Sequence, residues 1–388
     1  MANKINSFKR YFLVTAMLFA SVAGFAYEPI DKETTQEHAP APSEHKGHDE
    51  PKKFNAGEMI IEHVTDSHEW HLWGHTAIPL PVILKTDKGL EMFSSARFGH
   101  GATETYTGEH YTYALQHNHV VVVDEATGTV NDEATANITD FSITKNVAAM
   151  FITMIIMVWM FLSVAKAYTR NRGKAPRGLQ SFVEPIIMFI RDDVAKPSIG
   201  KKYARFMPYL LTIFFFIAIS NYLGLIPFFP GGINLTGSIS IAMVLAAFTL
   251  LITFFVGNKH YWHHVFAMPG VPVAVLIILT PIEIIGVFLR PFVLMIRLFA
   301  NITAGHIIAL AFFSLIFIFG EMSTGLGLGV SVLTLVFTVF MGALELLVAF
   351  LQAYVFTLLS AIYIGAAVDE GHDIHNHVDD HLATKEAH

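Results

Sequence analysis

Arg297 lies in Val293-Leu294-Met295-Ile296-Arg297-Leu298-Phe299-Ala300, a run with no other polar side chain. An arginine at the centre of a membrane helix costs at least about 2.5–3.5 kcal/mol on insertion scales. Unlike lysine, it cannot shed its proton to escape that cost. It must therefore face a carboxylate, a wet cavity or a partner, and a pair within its own bundle is the plain alternative. An acid brought close to Arg297 would be stabilised in its ionised form and would release a proton there. Glu283, Arg290 and Arg297 recur at seven-residue intervals. At about 100° per residue they make one slowly drifting stripe, and Asn301, four residues further on, continues it. Glu283 and Arg290 either belong to this polar path or form a pair at the membrane boundary that ties down the helix entry.

His306 follows Arg297 by nine residues, which on a straight helix turns it about 180° away. It cannot share the arginine's surface. Glu345, in the next apolar segment, is the other ionisable group at comparable depth, and Gln352 falls on nearly the same face seven residues later. A histidine and a carboxylate on adjacent helices suit a proton relay. The same pair would also serve as a hydrogen bond that only locks helix to helix. Ala300, Ala304 and Gly305 near the arginine, and Ala343, Ala349 and Ala353 in the last segment, permit close backbone approach between membrane helices.

The elements that must position these groups are legible in the composition. Charged residues make up 15% and hydrophobic residues 53%, with 33 Phe, where a soluble chain averages about 25% charged. The predicted fold class is an all-α polytopic membrane protein with five crossings, at about residues 146–165, 206–228, 238–256, 271–319 and 330–368. The last two runs exceed a perpendicular crossing and imply steep tilt or an interfacial lead-in. Residues 178–205 mix apolar pairs with charges and read as an amphipathic helix along the interface, followed by a basic loop. Lys166, Arg170, Arg172, Lys174 and Arg177, with no acid among them, mark the cytoplasmic side. Lys259 returns the chain to that side, with His260, His263 and His264 nearby.

A different kind of sequence precedes the spans. Residues 1–26 carry Lys4, Lys9 and Arg10, then an apolar run and small residues at Gly24 and Ala26. That order predicts a signal peptide cleaved near Ala26, the alternative being an uncleaved first helix. A flexible His/Glu/Pro-rich tether is expected over 27–54 and an exported, mostly β or partly disordered polar domain over 55–145. β-Prone runs there include Met59–Val64, Ile78–Lys85 and Val120–Asp124. The domain named 146–368 is the membrane portion, and 369–388 is an acidic, His-rich tail placed in the cytoplasm by parity. His68, His71 and His75 have a spacing that suits a metal, but with no regular structure to fix it they read better as solvated or packed histidines. Cysteine is absent, which excludes disulfides, thiolate metal sites and cysteine nucleophiles. No cofactor, catalytic residue or nucleic-acid partner is called for.

Arg297-Leu298-Phe299-Ala300-Asn301-Ile302-Thr303-Ala304-Gly305-His306 resembles the signature of subunit a of F-type ATP synthases. Further matches follow in order. They are Asn221-Tyr222-Leu223-Gly224-Leu225-Ile226-Pro227, Asn234-Leu235-Thr236, the approach from Glu283 to Pro291, and Leu351-Gln352-Ala353-Tyr354-Val355-Phe356. The resemblance covers about residues 145–368. It implies a stator proton channel in a bacterial inner membrane, partnered by a rotor ring of subunit c with a membrane-embedded Asp or Glu, by the peripheral-stalk subunit b and by lipid. On this resemblance Arg297 is the arginine facing the ring, with Gln352 as its neighbour and Asn301 lining the same region. His306 and Glu345 occupy positions where the family places a histidine and a carboxylate in either arrangement, and Arg290 stands where some members carry lysine. The segment from 27 to 145 is longer than in compact members, so its role is not inherited.

Two other classes stay open on the residues alone. A secondary ion transporter would show inverted repeats with Gly/Pro breaks in corresponding halves, and no such duplication is visible. A metal-handling membrane protein would place several ligands within its spans, where His306 is the deep histidine.

Overall fold

The computed structural model describes residues 65–73, 76–99, 104–116, 118–124, 127–171, 173–226, 231–233, 235–266, 268 and 271–369. The expected signal peptide, the tether, the run Met59–Val64, His75, Pro227, Asn234 and the tail beyond Asp369 lie outside these residues. The described residues form two compact units, one holding 65–145 with Thr303–Leu344 and the other Asn146–Ile302 with 345–369.

The polar part of the first unit is built from short antiparallel strands. These are β1 (Glu69–Trp73), β2 (Thr76–Pro79), β3 (Pro81–Lys85), β4 (Leu90–Ser94), β5 (Tyr106–Thr107), β6 (Thr112–Gln116), β7 (His119–Val123) and β8 (Thr139–Asp140), with a small helix α1 (Asp132–Ala136) before β8. They pair as β1-β2, β4-β3-β8 and β5-β6-β7. The predicted run 78–85 is two strands rather than one. Pro79 and Pro81 lack the amide hydrogen a ladder requires, and between them the Leu80 amide donates to Ser95 Oγ at 3.0 Å. Alternation along β3 buries Val82 and Leu84, which join Phe98, Tyr113, Val120, Val122 and Ile138 in one core.

Two polar anchors hold this core. Glu91 is buried, and its carboxylate accepts from the His110 amide at 2.9 Å, the Glu109 amide at 3.2 Å and the Tyr113 hydroxyl at 2.9 Å. Burial and that bonded carboxylate raise the Tyr113 phenol well above its ordinary value. His68, 3% exposed, meets Asp140 Oδ2 through Nε2 at 3.2 Å. Burial alone would raise the Asp140 carboxyl, but the bonds from His68 and Ser142 outweigh it and hold the group below the usual carboxylate range. His68 is thus a packed histidine, and among the described residues no three His, Asp or Glu side chains gather as a metal site.

The membrane portion is helical. Its elements are α2 (Lys145–Arg170), α3 (Leu179–Phe189), a π-helical turn at Ile190–Ala195, α4 (Lys196–Ile199), α5 (Tyr203–Leu225), α6 (Ile239–Val256), α7 (Lys259–Phe266), α8 (Val273–Met322) and α9 (Thr324–Val368). Five helical stretches, Lys145–Arg170, Leu179–Leu225, Ile239–Val256, Val275–Gly320 and Gly329–Val368, are long and apolar enough to cross a membrane. The chain is a polytopic helical membrane protein with a strand-bearing amino-terminal part. The predicted amphipathic helix and second span are joined, broken chiefly near Gly200, whose φ of 68° is the left-handed conformation glycine tolerates.

The glycine-rich stretch 320–329, which falls between the last two predicted crossings, is mostly helical, and Ser323 alone separates α8 from α9. Glycine costs about 1 kcal/mol in a helix. A backbone group left without a partner in hydrocarbon costs several, so the helix wins. Polar bonds tie the spans of the second unit together. Tyr209 Oη and Thr249 Oγ1 lie 2.8 Å apart, and Thr249 Oγ1 and Ser360 Oγ 3.2 Å apart, linking α5, α6 and α9. Asn221 Nδ2 donates to the Ala349 carbonyl at 3.2 Å. Gly365 passes so close to Ser198 that an added Cβ would sit 1.9 Å from its carbonyl oxygen.

Candidate functional site

α8 is 50 residues long and carries Glu283, Arg290, Arg297, Asn301 and His306, while α9 carries Glu345 and Gln352. Arg297 is at the middle of α8. At about 1.5 Å per residue it stands roughly 36 Å from either end, beyond the reach of any side chain toward an interface. The apolar run Val275–Gly320 has 46 residues. To fit within about 30 Å of hydrocarbon, a rod of that length would have to lean by about 60° from the membrane normal.

The Arg297 guanidinium is exposed and, among the described residues, forms no ion pair. It lies on a stripe of exposed positions along α8 that includes Leu289, Val293, Ile296, Ala300 and Ile307. The spacing of three and four residues repeats because each helical turn brings the same side round. The lower part of α9 exposes Leu347 and Leu351 in the same way. Beyond this point α9 turns inward, with Phe356, Thr357, Ser360, Ala361 and Ile364 all buried.

Behind the arginine the backbone is clamped. Gln352 is 4% exposed, and its Nε2 donates to the Arg297 carbonyl at 2.6 Å. Its Oε1 accepts from Asn301 Nδ2 at 3.2 Å. One amide side chain on α9 thus binds the backbone of Arg297 and the side chain one turn later. Ala349 and Ala353 flank it, both buried, and their small side chains allow the helices to approach. Toward the start of α8, Arg290 Nη2 pairs with Glu283 Oε1 at 3.0 Å, and the Arg290 guanidinium lies 6.0 Å from the centre of the Tyr363 ring. Glu283 and Arg290 therefore pair with each other, while Arg297 on the same helix does not join them.

Glu345 is partly buried, and among the described residues its Oε1 is a buried acceptor with no hydrogen-bond partner. His306 is partly buried on α8. The two belong to different compact units. Tyr363 was not singled out in the sequence, although a signal existed: it follows Gln352 by eleven residues, or about 1100°, and so shares its face. Asn221 entered only through the motif it belongs to.

A family model described as ATP synthase A chain matches residues 147–365. A second, described as a domain of unknown function, matches residues 59–141. Among curated relatives, ATP synthase subunit a 2 of Chlorobaculum tepidum is 44% identical over 245 residues, 61% of this chain and 66% of that protein, just under two thirds of its length. ATP synthase subunit a of Chloroherpeton thalassium is 41% identical over 249 residues, 62% of this chain and 72% of the relative. A more distant relative in Anaeromyxobacter, also called ATP synthase subunit a, is 38% identical and covered over 57% of its length. The matched region contains the whole Arg297 neighbourhood, and this chain belongs to the ATP synthase subunit a family.

Proposed function

We propose that this chain is the non-catalytic stator channel of a rotary ATP synthase, carrying protons to and from the carboxylates of a turning ring of subunit c. The observation that supports it is the guanidinium of Arg297, without an ion pair among the described residues and exposed on an apolar helix face, with its own backbone clamped by Gln352. A ring carboxylate facing lipid must be protonated, because its ion is too costly in hydrocarbon. Opposite Arg297 the ionised form is stabilised, so the proton leaves there. With one aqueous half-channel opening outside and an offset one opening to the cytoplasm, a proton must ride the ring between them. Arg297 also repels a proton that would cross directly. The driving force is about 2.3 kcal/mol per charge per 100 mV.

In this reading His306, Glu345 and Gln352 belong to the outer half-channel, Asn301 lines the ring-facing surface, and Glu283 with Arg290 stands nearer the cytoplasmic exit. The open acceptor on Glu345 suits a group that takes and passes a proton. Subunit b and lipid complete the surroundings, in a bacterial inner membrane with the amino-terminal domain outside and the carboxyl terminus in the cytoplasm. Replacing Arg297 with Ala is expected to abolish ATP-driven proton pumping in inverted membrane vesicles while the complex still assembles. Full pumping by that variant would overturn the assignment.

A further inference from the structure

α7 begins three residues after α6 ends, with only Gly257 and Asn258 between them. Since α6 is a membrane-crossing stretch, α7 lies at a membrane surface whichever side that is. Its sequence, Lys-His-Tyr-Trp-His-His-Val-Phe, is divided by position. Tyr261, 7% exposed, and Val265, 3% exposed, pack against Val287 and Ala367. Lys259, His260, His263, His264 and Phe266 are exposed.

The aromatic side of α7 is continuous with the outer face of α6. Phe254 and Trp262 meet edge to face with centroids 4.7 Å apart, and Trp262 stacks on Phe266 at 6.0 Å. Phe255, next to Phe254, is 82% exposed. Rings that sit on the lipid-facing side of a span mark the level where hydrocarbon gives way to headgroups. The basic side of α7 is next to them, at headgroup depth. The Asn258 amide holds this end in place by donating to the Ala367 carbonyl at 2.9 Å, and Thr280 Oγ1 donates to the Phe266 carbonyl at 3.0 Å.

We propose that the exposed face of α7, with the end of α6, is a binding site for the headgroup of an anionic phospholipid, and that acidification tightens it. Charge complementarity carries the choice of occupant. Residues 194–282 contain no Asp or Glu. The charged groups near α7 on the elements packed against it are Glu283 and Arg290 of α8, which pair with each other at 3.0 Å, and Asp369, just past α9. Lys259 supplies a permanent cation. His260, His263 and His264 stand beside it on the same exposed face, and imidazoles gain charge as a surface becomes more acidic. Each cation at an anionic surface favours binding by about five-fold.

The test uses the full chain in phosphatidylcholine vesicles carrying brominated phosphatidylglycerol or brominated phosphatidylcholine as the quencher. The Trp262 signal is the difference from Trp262→Phe. At pH 6, brominated phosphatidylglycerol should quench Trp262 at about a five-fold lower mole fraction than brominated phosphatidylcholine, and the gap should narrow at pH 8.5. His260→Gln/His263→Gln/His264→Gln should remove the pH dependence. Adding Lys259→Gln should remove the preference, with quenching by brominated phosphatidylcholine unchanged as the sign of normal insertion. Equal quenching by the two lipids at both pH values would overturn the proposal, as would an undiminished preference in the four-site variant. A preference that appears only in a chain ended at Asp369 would also overturn it, by giving the face to the acidic tail.

Discussion

Gln352 offers a quantitative test of the clamp behind Arg297. Gln352→Leu keeps the side chain's approximate volume and removes two hydrogen bonds, one to the Arg297 carbonyl at 2.6 Å and one from Asn301 at 3.2 Å. The carbonyl keeps its helical amide, and Asn301 is exposed, so neither is fully stranded. Hydrogen bonds between membrane helices average about 0.6 kcal/mol and reach about 1.7. Two of them give an expected loss of about 1–3 kcal/mol. Measured by unfolding the purified chain in mixed micelles with increasing dodecyl sulfate, that is a clear shift in midpoint. Asn301→Ala should cost about half as much. In the double variant the effects should fall short of additive by about 0.6 kcal/mol. In inverted vesicles Gln352→Leu should pump more slowly, because the guanidinium is carried on a less firmly held backbone. Strictly additive losses, or a single variant with no cost, would refute the clamp.

Other outcomes follow from the same geometry. Asp140→Asn should destabilise the amino-terminal domain by about 1.5–3 kcal/mol at neutral pH, followed by fluorescence of the buried Trp70. The Asp140 carboxyl is lowered in the folded state, so its contribution is present above the ordinary carboxylate range and lost as pH falls through the folded value. Variant and wild type should therefore converge in acid, and a constant gap down to pH 2 would contradict this. Glu91→Leu should cost more than about 3 kcal/mol, because three donors lose a buried carboxylate. Gly108→Ala should be harmful at the same spot, since its Cβ would lie 2.2 Å from Glu91 Oε2, and thermal melts report both. Gly365→Ala should weaken the joint with Ser198 by about 1–3 kcal/mol, read as a lower midpoint in dodecyl sulfate.

The spans were legible because hydrocarbon leaves so little choice. Runs predicted at 146–165 and 238–256 correspond to helices at Lys145–Arg170 and Ile239–Val256, where apolar length alone is decisive. The stripe from Glu283 to Asn301 was legible from its period, and a Glu283–Arg290 pair was one of its two readings. Nothing in a seven-residue spacing decides between those readings, or says that Arg297 stays out of the pair. The link from Gln352 to Arg297 crosses 55 positions, and such a contact depends on how two helices are set against each other. The stretch 320–329 fell between two predicted crossings because its glycines disfavour a helix in water, whereas hydrocarbon favours one. The amino-terminal domain was hardest, since its strands are two to five residues long, and its anchors at Glu91 and His68 leave no periodic trace.

The prolines of α8 have a consequence for wetting. Pro281 and Pro291 lie inside the helix, so the carbonyls of Ile277 and Val287 lack their usual amide donors. Bare carbonyls draw water or another donor wherever hydrocarbon surrounds them. Both lie on the Glu283 side of Arg297, and the helix has no proline from 292 onward. Its two halves therefore differ in their own backbone: one leaves two carbonyls in need of a donor, and in the other no proline interrupts the ladder.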